Sequence, residues 1–245
     1  MEPFESIFSQ RVKQILELIW VTDSALRGAN GAARLASVLK HPAEAVERAR
    51  EMENLAAREV SGDFPLLHSA STVLVWGALE AAFRDFLVRW FVVYPSSRTA
   101  SEFNNVRVRI SEYEALSGED RMRYLVGHLE REFAAALKPG VGRFECLLKP
   151  FGIFPKITDA QRRTLCELAA VRNVIVHRAG IADSRLLELC PWLDIEVDRH
   201  LVVGRRMFLG YVEAANAYAT SLVNAAKAVA ERIKDLDPPD FGPAV

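Results

Sequence analysis

The sequence predicts an all-α protein, a helical bundle with one small β-hairpin before its last helix. Apolar residues recur with a helical period through most of the chain, and short glycine-, proline- or polar-rich runs separate the periodic segments. Residues 193–204 change to an alternating pattern, and Val106, Val108 and Ile110 alternate in a short segment that could be strand or helix. The chain has 245 residues and is 50% hydrophobic, which is enough apolar material for one large domain or two small ones.

The first half of the chain contains three strongly helical segments. An N-terminal apolar stripe stops before RGANGAA, and a second helix starts with Pro42 at its first position and runs to about Val60. Residues 66–93 form the most hydrophobic helix, which we expect at the centre of the core. Its main apolar face comprises Leu79, Phe83, Phe86 and Trp90.

The second half continues with helices and one change of period. A helix follows Ser117, and Thr158 with Gln161 forms a capping box that opens the next helix, which should end near Gly180. A last long helix runs over about 206–234. Before it, the alternation that predicts the β-hairpin brackets the turn residues DRH and involves Ile195, Val197, Leu201 and Val203.

Composition limits the domain organisation and the function classes. We expect a helical extension over 1–60, a main domain over 61–235 and a disordered tail over 236–245. The net charge of −1 gives no support to a basic nucleic-acid coat or to membrane-surface binding. Three widely spaced cysteines without a CxxC motif predict reduced thiols in a cytoplasmic protein. The five histidines form no HxxxH or HExxH pair, so no metal site and no cofactor are expected.

Membrane insertion is not expected from the sequence. The N-terminus lacks the basic start and apolar core of a signal peptide. The most hydrophobic stretch, residues 70–94, carries four charged side chains, which argues against an ordinary transmembrane helix. These are Glu80, Arg84, Asp85 and Arg89.

One helical segment carries polar side chains that its apolar pattern does not explain. In CELAAVRNVIVHRAGIAD, residues 166–183, Arg172 lies near the middle of the apolar stripe. Asn173 and His177 are i,i+4 neighbours on an adjoining face. A charge that points toward packed residues is costly unless it is paired or used. Arg172 is therefore either a structural arginine paired with a core carboxylate or part of a functional site.

The pattern Arg172-Asn173-x-x-x-His177 at the end of a helix resembles the Rx4–6H signature of the HEPN superfamily (higher eukaryotes and prokaryotes nucleotide-binding). A polar residue directly after the arginine is typical of its ribonuclease branches. The upstream helix WGALEAAFRDFL, residues 76–87, fits the same context. The resemblance covers roughly residues 64–235, and the chain looks most similar to the RiboL-PSP-type families.

The resemblance implies metal-independent cleavage of RNA in a toxin-like or defence role. His177 would transfer a proton to or from the ribose 2′-hydroxyl or the leaving 5′-oxygen. Arg172 would bind the phosphate and the charge that develops on it, and Asn173 would orient His177 or donate to the phosphate. HEPN proteins usually pair their motif helices in a homodimer, so the implied partners are RNA, a second copy of the chain, and an antitoxin or other partner protein.

Two interpretations are open for Glu80 in the central helix. It either forms an i,i+4 salt bridge with Arg84, or it is a supporting acid that pairs with Arg172 or His177. One regulatory route is not expected. HEPN toxins controlled by a nucleotidyltransferase carry a tyrosine two residues after the histidine, and Ala179 stands at that position here.

Two alternatives to the nuclease remain open. One is a non-catalytic HEPN scaffold for dimerisation or for protein or nucleotide binding, although such a scaffold does not need an intact Arg172, Asn173 and His177 set. The other is an unrelated helical protein in which the motif is a coincidence. That reading would be favoured if Arg172 were locked in an internal salt bridge.

Overall fold

The computed structural model describes residues 2–104, 106–134 and 138–233. These residues form ten α-helices and contain no β-strand, which confirms the all-α class. The helices are α1 (Glu2–Gly28), α2 (Ala32–Val38), α3 (Ala43–Ser61), α4 (Pro65–Val93), α5 (Ile110–Ala115), α6 (Gly118–Ala134), α7 (Gly142–Leu148), α8 (Asp159–Arg178), α9 (Ser184–Leu189) and α10 (Arg205–Ile233). The tail expected over 236–245 lies outside the described residues.

Helix α4 is the centre of the core, as its composition predicts. It packs against α1, α6, α8 and α10, so apolar residues are needed around most of its circumference. Val75, Leu79, Phe83 and Phe91 are fully buried. By length and composition α4 also qualifies as a membrane-spanning helix, a test that buried core helices of soluble proteins pass as well.

The N-terminal segment contributes to the same core. Phe8, Val12 and Ile15 of α1 are buried in the cluster that contains α4 and α10. Helices α2 and α3 pack against each other, and α3 also contacts α1. Part of the expected extension over 1–60 is therefore packed into the main body of the protein.

Helix α8 is fixed at both ends by local hydrogen bonds. The expected capping box is confirmed: the Gln161 amide donates to Thr158 Oγ1 at 3.2 Å, and the Thr158 amide donates to Gln161 Oε1 at 2.9 Å. At the other end, the amides of Ala179 and Gly180, both with positive φ, donate to the Val174 carbonyl. The last two turns of α8, which carry Arg172 and His177, are thereby held in helical geometry.

The middle of α8 is anchored through Glu167. Its carboxylate accepts hydrogen bonds from the Tyr211 hydroxyl at 2.8 Å and from the Trp192 indole. Arg163 lies over the Trp192 ring, 4.1 Å from its centroid. These contacts tie α8 to α10 and to the turn after α9. They restrict how α8, the helix that carries the Arg172–His177 motif and is called the motif helix below, can rotate or slide.

The expected β-hairpin over 193–204 is wrong. Within this segment the backbone forms only local turn bonds, and its longer-range bonds go to the turn after α8: Ala182 donates to the Arg199 carbonyl, and Leu201 donates to the Gly180 carbonyl. A single antiparallel bridge between Ile181 and His200 results. Burial of Leu201 and Val203 explains the second half of the alternation, whereas Val197 in the first half is exposed.

His68 in the first turn of α4 is a buried imidazole in an aromatic environment. It is 1% exposed and stacks on Phe208, with 5.5 Å between the ring centroids. In the described part of the chain its Nδ1 has no hydrogen-bond partner. Burial lowers the pKa of His68 below 6.5, against a smaller raising effect of Asp63. The folded protein favours the neutral ring of His68. When the pH falls below about 6.5, the unfolded chain therefore binds more protons than the folded protein, and the folded state loses stability.

We predict that a His68→Leu variant shows a flatter pH dependence of its melting temperature than the wild type between about pH 7.5 and 5.5. Thermal unfolding across this range measures the effect. His41→Leu, at an exposed histidine outside the core, should behave like the wild type. Parallel curves for the His68 variant and the wild type would show that His68 does not make the fold acid-sensitive.

Candidate functional site

Arg172 lies half-buried beside α4, with 26% of its side chain exposed. One terminal nitrogen donates to the Asn173 side-chain oxygen at 3.1 Å. The other lies 3.9 Å from Glu80 Oε2, too far for a hydrogen bond. Nε is buried, and no partner for it is present among the described residues. Arg172 is thus close to an internal carboxylate without being locked to it, and it keeps unused donors.

Glu80 is placed between two arginines from different helices. Its Oε1 pairs with Arg143 of α7, and its Oε2 faces Arg172 of α8. The i,i+4 bridge to Arg84 does not form, because Arg84 makes a two-pronged bond to Glu130 of α6 with distances of 3.0 and 2.8 Å. Of the two interpretations open from the sequence, the geometry therefore places Glu80 beside Arg172.

Arg143 is the member of this cluster that sequence reasoning missed. Its guanidinium lies over the rings of Trp76 and Phe144, 5.3 and 5.0 Å from their centroids. Burial and the neighbouring charge of Arg172 lower the pKa of Arg143, which remains a cation. The sequence offers no signal for this role, since Arg143 is one arginine in a short helix and its carboxylate partner lies 63 residues away.

The three charges leave an excess of positive charge at the end of the motif helix. One carboxylate serves two guanidiniums, so the cluster carries one more cation than anion. Guanidinium groups bind phosphate and carboxylate oxygens through paired, charge-assisted hydrogen bonds. The unused donors of Arg172 make the cluster a candidate site for an oxyanion.

His177 lies on the next face of α8. It is exposed and lines a cleft of about 320 Å³ together with Asn173, Arg178 and Arg185. Within the described ranges, no hydrogen bond or ion pair joins His177 to Arg172 or Glu80. Five residues correspond to about 140° around a helix, which accounts for the separation. Asn173 connects the two residues: it accepts a hydrogen bond from Arg172, and it lines the same cleft as His177.

The chemistry available here is anion binding next to an accessible imidazole. The arginine cluster can neutralise an oxyanion, and the exposed imidazole of His177 can accept or donate a proton. The described residues contain no group of three histidine, cysteine, aspartate or glutamate side chains that could hold a metal ion. The three cysteines are free thiols.

Comparison with known proteins adds no family assignment. No protein-family model matches the chain, and no curated protein or solved structure is significantly similar to it. The class that the structure defines is therefore an all-α helical bundle with an arginine–carboxylate cluster at the end of its motif helix.

We predict that Glu80→Gln destabilises the protein by about 1–3 kcal/mol, because it leaves Arg143 and Arg172 facing each other without a counter-charge. Chemical unfolding measures the loss, and added sulfate should restore more stability to the variant than to the wild type.

The matched control for this prediction is Glu130→Gln. Its carboxylate is 26% exposed against 25% for Glu80, yet it serves a single arginine. It should cost only about 0.2–1 kcal/mol, and sulfate should not rescue it selectively. Equal costs and equal sulfate responses would contradict a shared role of Glu80 between two cations.

Proposed function

We propose that the protein is a metal-independent endoribonuclease of the HEPN type with a toxin-like or defence role. The observation that carries the proposal is the half-buried, incompletely paired Arg172, which lies on the same helix end as the exposed His177. Buried cations with unused donors are expensive, so a bound phosphate gives this arrangement a physical reason.

Each residue has a distinct part in the proposed reaction. Arg172, assisted by Arg143, holds the scissile phosphate and the additional negative charge of the transition state. The ribose 2′-oxygen loses its proton and attacks the adjacent phosphorus, and the leaving 5′-oxygen gains a proton. His177 carries out one of these two transfers, and water carries out the other. The bond from phosphorus to the 5′-oxygen breaks, which leaves a 2′,3′-cyclic phosphate and a 5′-hydroxyl. Asn173 orients the groups, and Glu80 positions both arginines.

A homodimer completes the proposed site. One helix does not bring Arg172 and His177 together, and a second motif helix that faces the first would place an arginine and a histidine from different protomers in one cleft. Apolar side chains that a partner copy would cover are exposed on α4 and α8, namely Leu66, Leu74 and Val176. An antitoxin that covers the same cleft is the partner expected to restrain the activity.

A non-catalytic scaffold is the second candidate function. It is favoured by the Glu80 carboxylate beside Arg172, which gives the arginine a partial structural role. In that case the arginine cluster would serve dimerisation or the binding of a protein or nucleotide, and no bond would be cleaved.

We predict that the purified protein cleaves single-stranded RNA in the presence of EDTA. Arg172→Ala and His177→Ala should each lower the rate by about a hundredfold or more, because each removes one part of the catalytic chemistry. Gel analysis of the products measures the rate, and mass spectrometry identifies the cyclic-phosphate ends.

The controls are Arg48→Ala and His128→Ala, which change the same residue types on other helices and should keep wild-type rates. Equal inactivity of all proteins on varied RNAs would favour the scaffold. Cleavage that survives both motif substitutions would refute the assignment of Arg172 and His177.

A further inference from the structure

A second cleft adjoins the arginine cluster. It lies between α4, α6 and α7 and has a volume of about 350 Å³, at the lower end of the range of ligand sites, about 300 to 1,000 Å³. Glu80 and Arg143 line this cleft and also belong to the cluster around Arg172. The cleft therefore shares Glu80 and Arg143 with the candidate site, and its lining contains no residue of α8.

Two glycines in the middle of helices line this cleft. Gly77 in α4 and Gly127 in α6 both line it, and glycine in a helix interior is less stable than alanine. Packing does not require either glycine, since a Cβ added at each position would meet nothing within 4 Å. Neither position therefore contributes a side chain that would fill the cleft.

The cleft carries positive charge that no described carboxylate neutralises. Arg84 is matched by Glu130 through its two-pronged bond. Arg131 only donates from Nε to the Gly127 carbonyl, and it forms no ion pair within the described residues. Arg143 shares Glu80 with Arg172. Phe144 and Leu147 lie under these cations and are almost fully buried.

We propose that this cleft binds the nucleotide next to the cleavage position, with its phosphate held by Arg131 and Arg143. The proposal rests on the proposed function, because it assigns a path for the same RNA strand. The cations suit a phosphodiester, and the shared Glu80 and Arg143 place the bound unit near the phosphate at Arg172.

The test measures binding of a fluorescein-labelled single-stranded RNA of about twelve nucleotides by anisotropy. All variants are made in the His177→Ala background, so that binding is observed without cleavage. Gly127→Leu fills the cleft and should weaken binding about tenfold. Arg131→Gln should weaken it about three- to tenfold and lower the slope of log affinity against log salt by about 0.7, the value for one lost phosphate contact.

Matched controls separate the cleft from general effects. Gly210→Leu changes a glycine inside α10 that is equally open and does not line the cleft, and Arg48→Gln removes an exposed arginine on α3. Both should bind RNA within about twofold of the parent protein. Melting temperatures should not fall in either glycine variant, since leucine has the higher helix propensity. If Gly127→Leu unfolds, Arg131→Gln and Gly77→Ala decide the question.

The outcomes distinguish the two proposals. Weaker binding in the cleft variants together with no cleavage by the wild-type protein would support the cleft and refute the nuclease. Cleavage by the wild type with unchanged binding in the cleft variants would refute the cleft alone. A parent protein that does not bind the RNA at all would also overturn the cleft proposal.

Discussion

The sharing of one carboxylate between two guanidiniums is the interaction on which the candidate site depends. Glu80 of α4 faces Arg143 of α7 and Arg172 of α8, so a single side chain connects three helices. Each guanidinium loses hydration in this position, and one carboxylate compensates for only part of that cost. Two guanidiniums and one carboxylate leave one positive charge, which attracts an anion. The same three side chains also hold α4, α7 and α8 together.

The surrounding core explains why the cluster keeps its geometry. Helix α4 is packed on several sides, which fixes the height and rotation of Glu80. Helix α8 is fixed by its capping box, by the left-handed turn after Arg178 and by the bonds of Glu167 to Tyr211 and Trp192. A rigid support of this kind is what a site needs when it must hold charges a few ångströms apart.

Local features could be predicted from the sequence, and features that depend on distant partners could not. The capping box of Thr158 and Gln161 requires only neighbouring residues, and the burial of α4 follows from its composition. The prediction of a hairpin was wrong because the segment around Leu201 bonds to the turn after α8. At the site, the apolar pattern of α8 identified Arg172 as unusual. The sequence did not decide whether Glu80 pairs with Arg84 or with a residue of the motif. Arg143 gave no signal, because its role exists only once α7 lies against α4.

The most direct test of the account mixes two inactive variants, Arg172→Ala and His177→Ala, and measures RNA cleavage after subunit exchange. If each site takes its arginine from one protomer and its histidine from the other, half of the dimers are mixed and each regains one intact site. We therefore expect about a quarter of the wild-type rate. A mixture that stays as inactive as the separate variants, while mass spectrometry shows mixed dimers, would contradict a site shared between two copies.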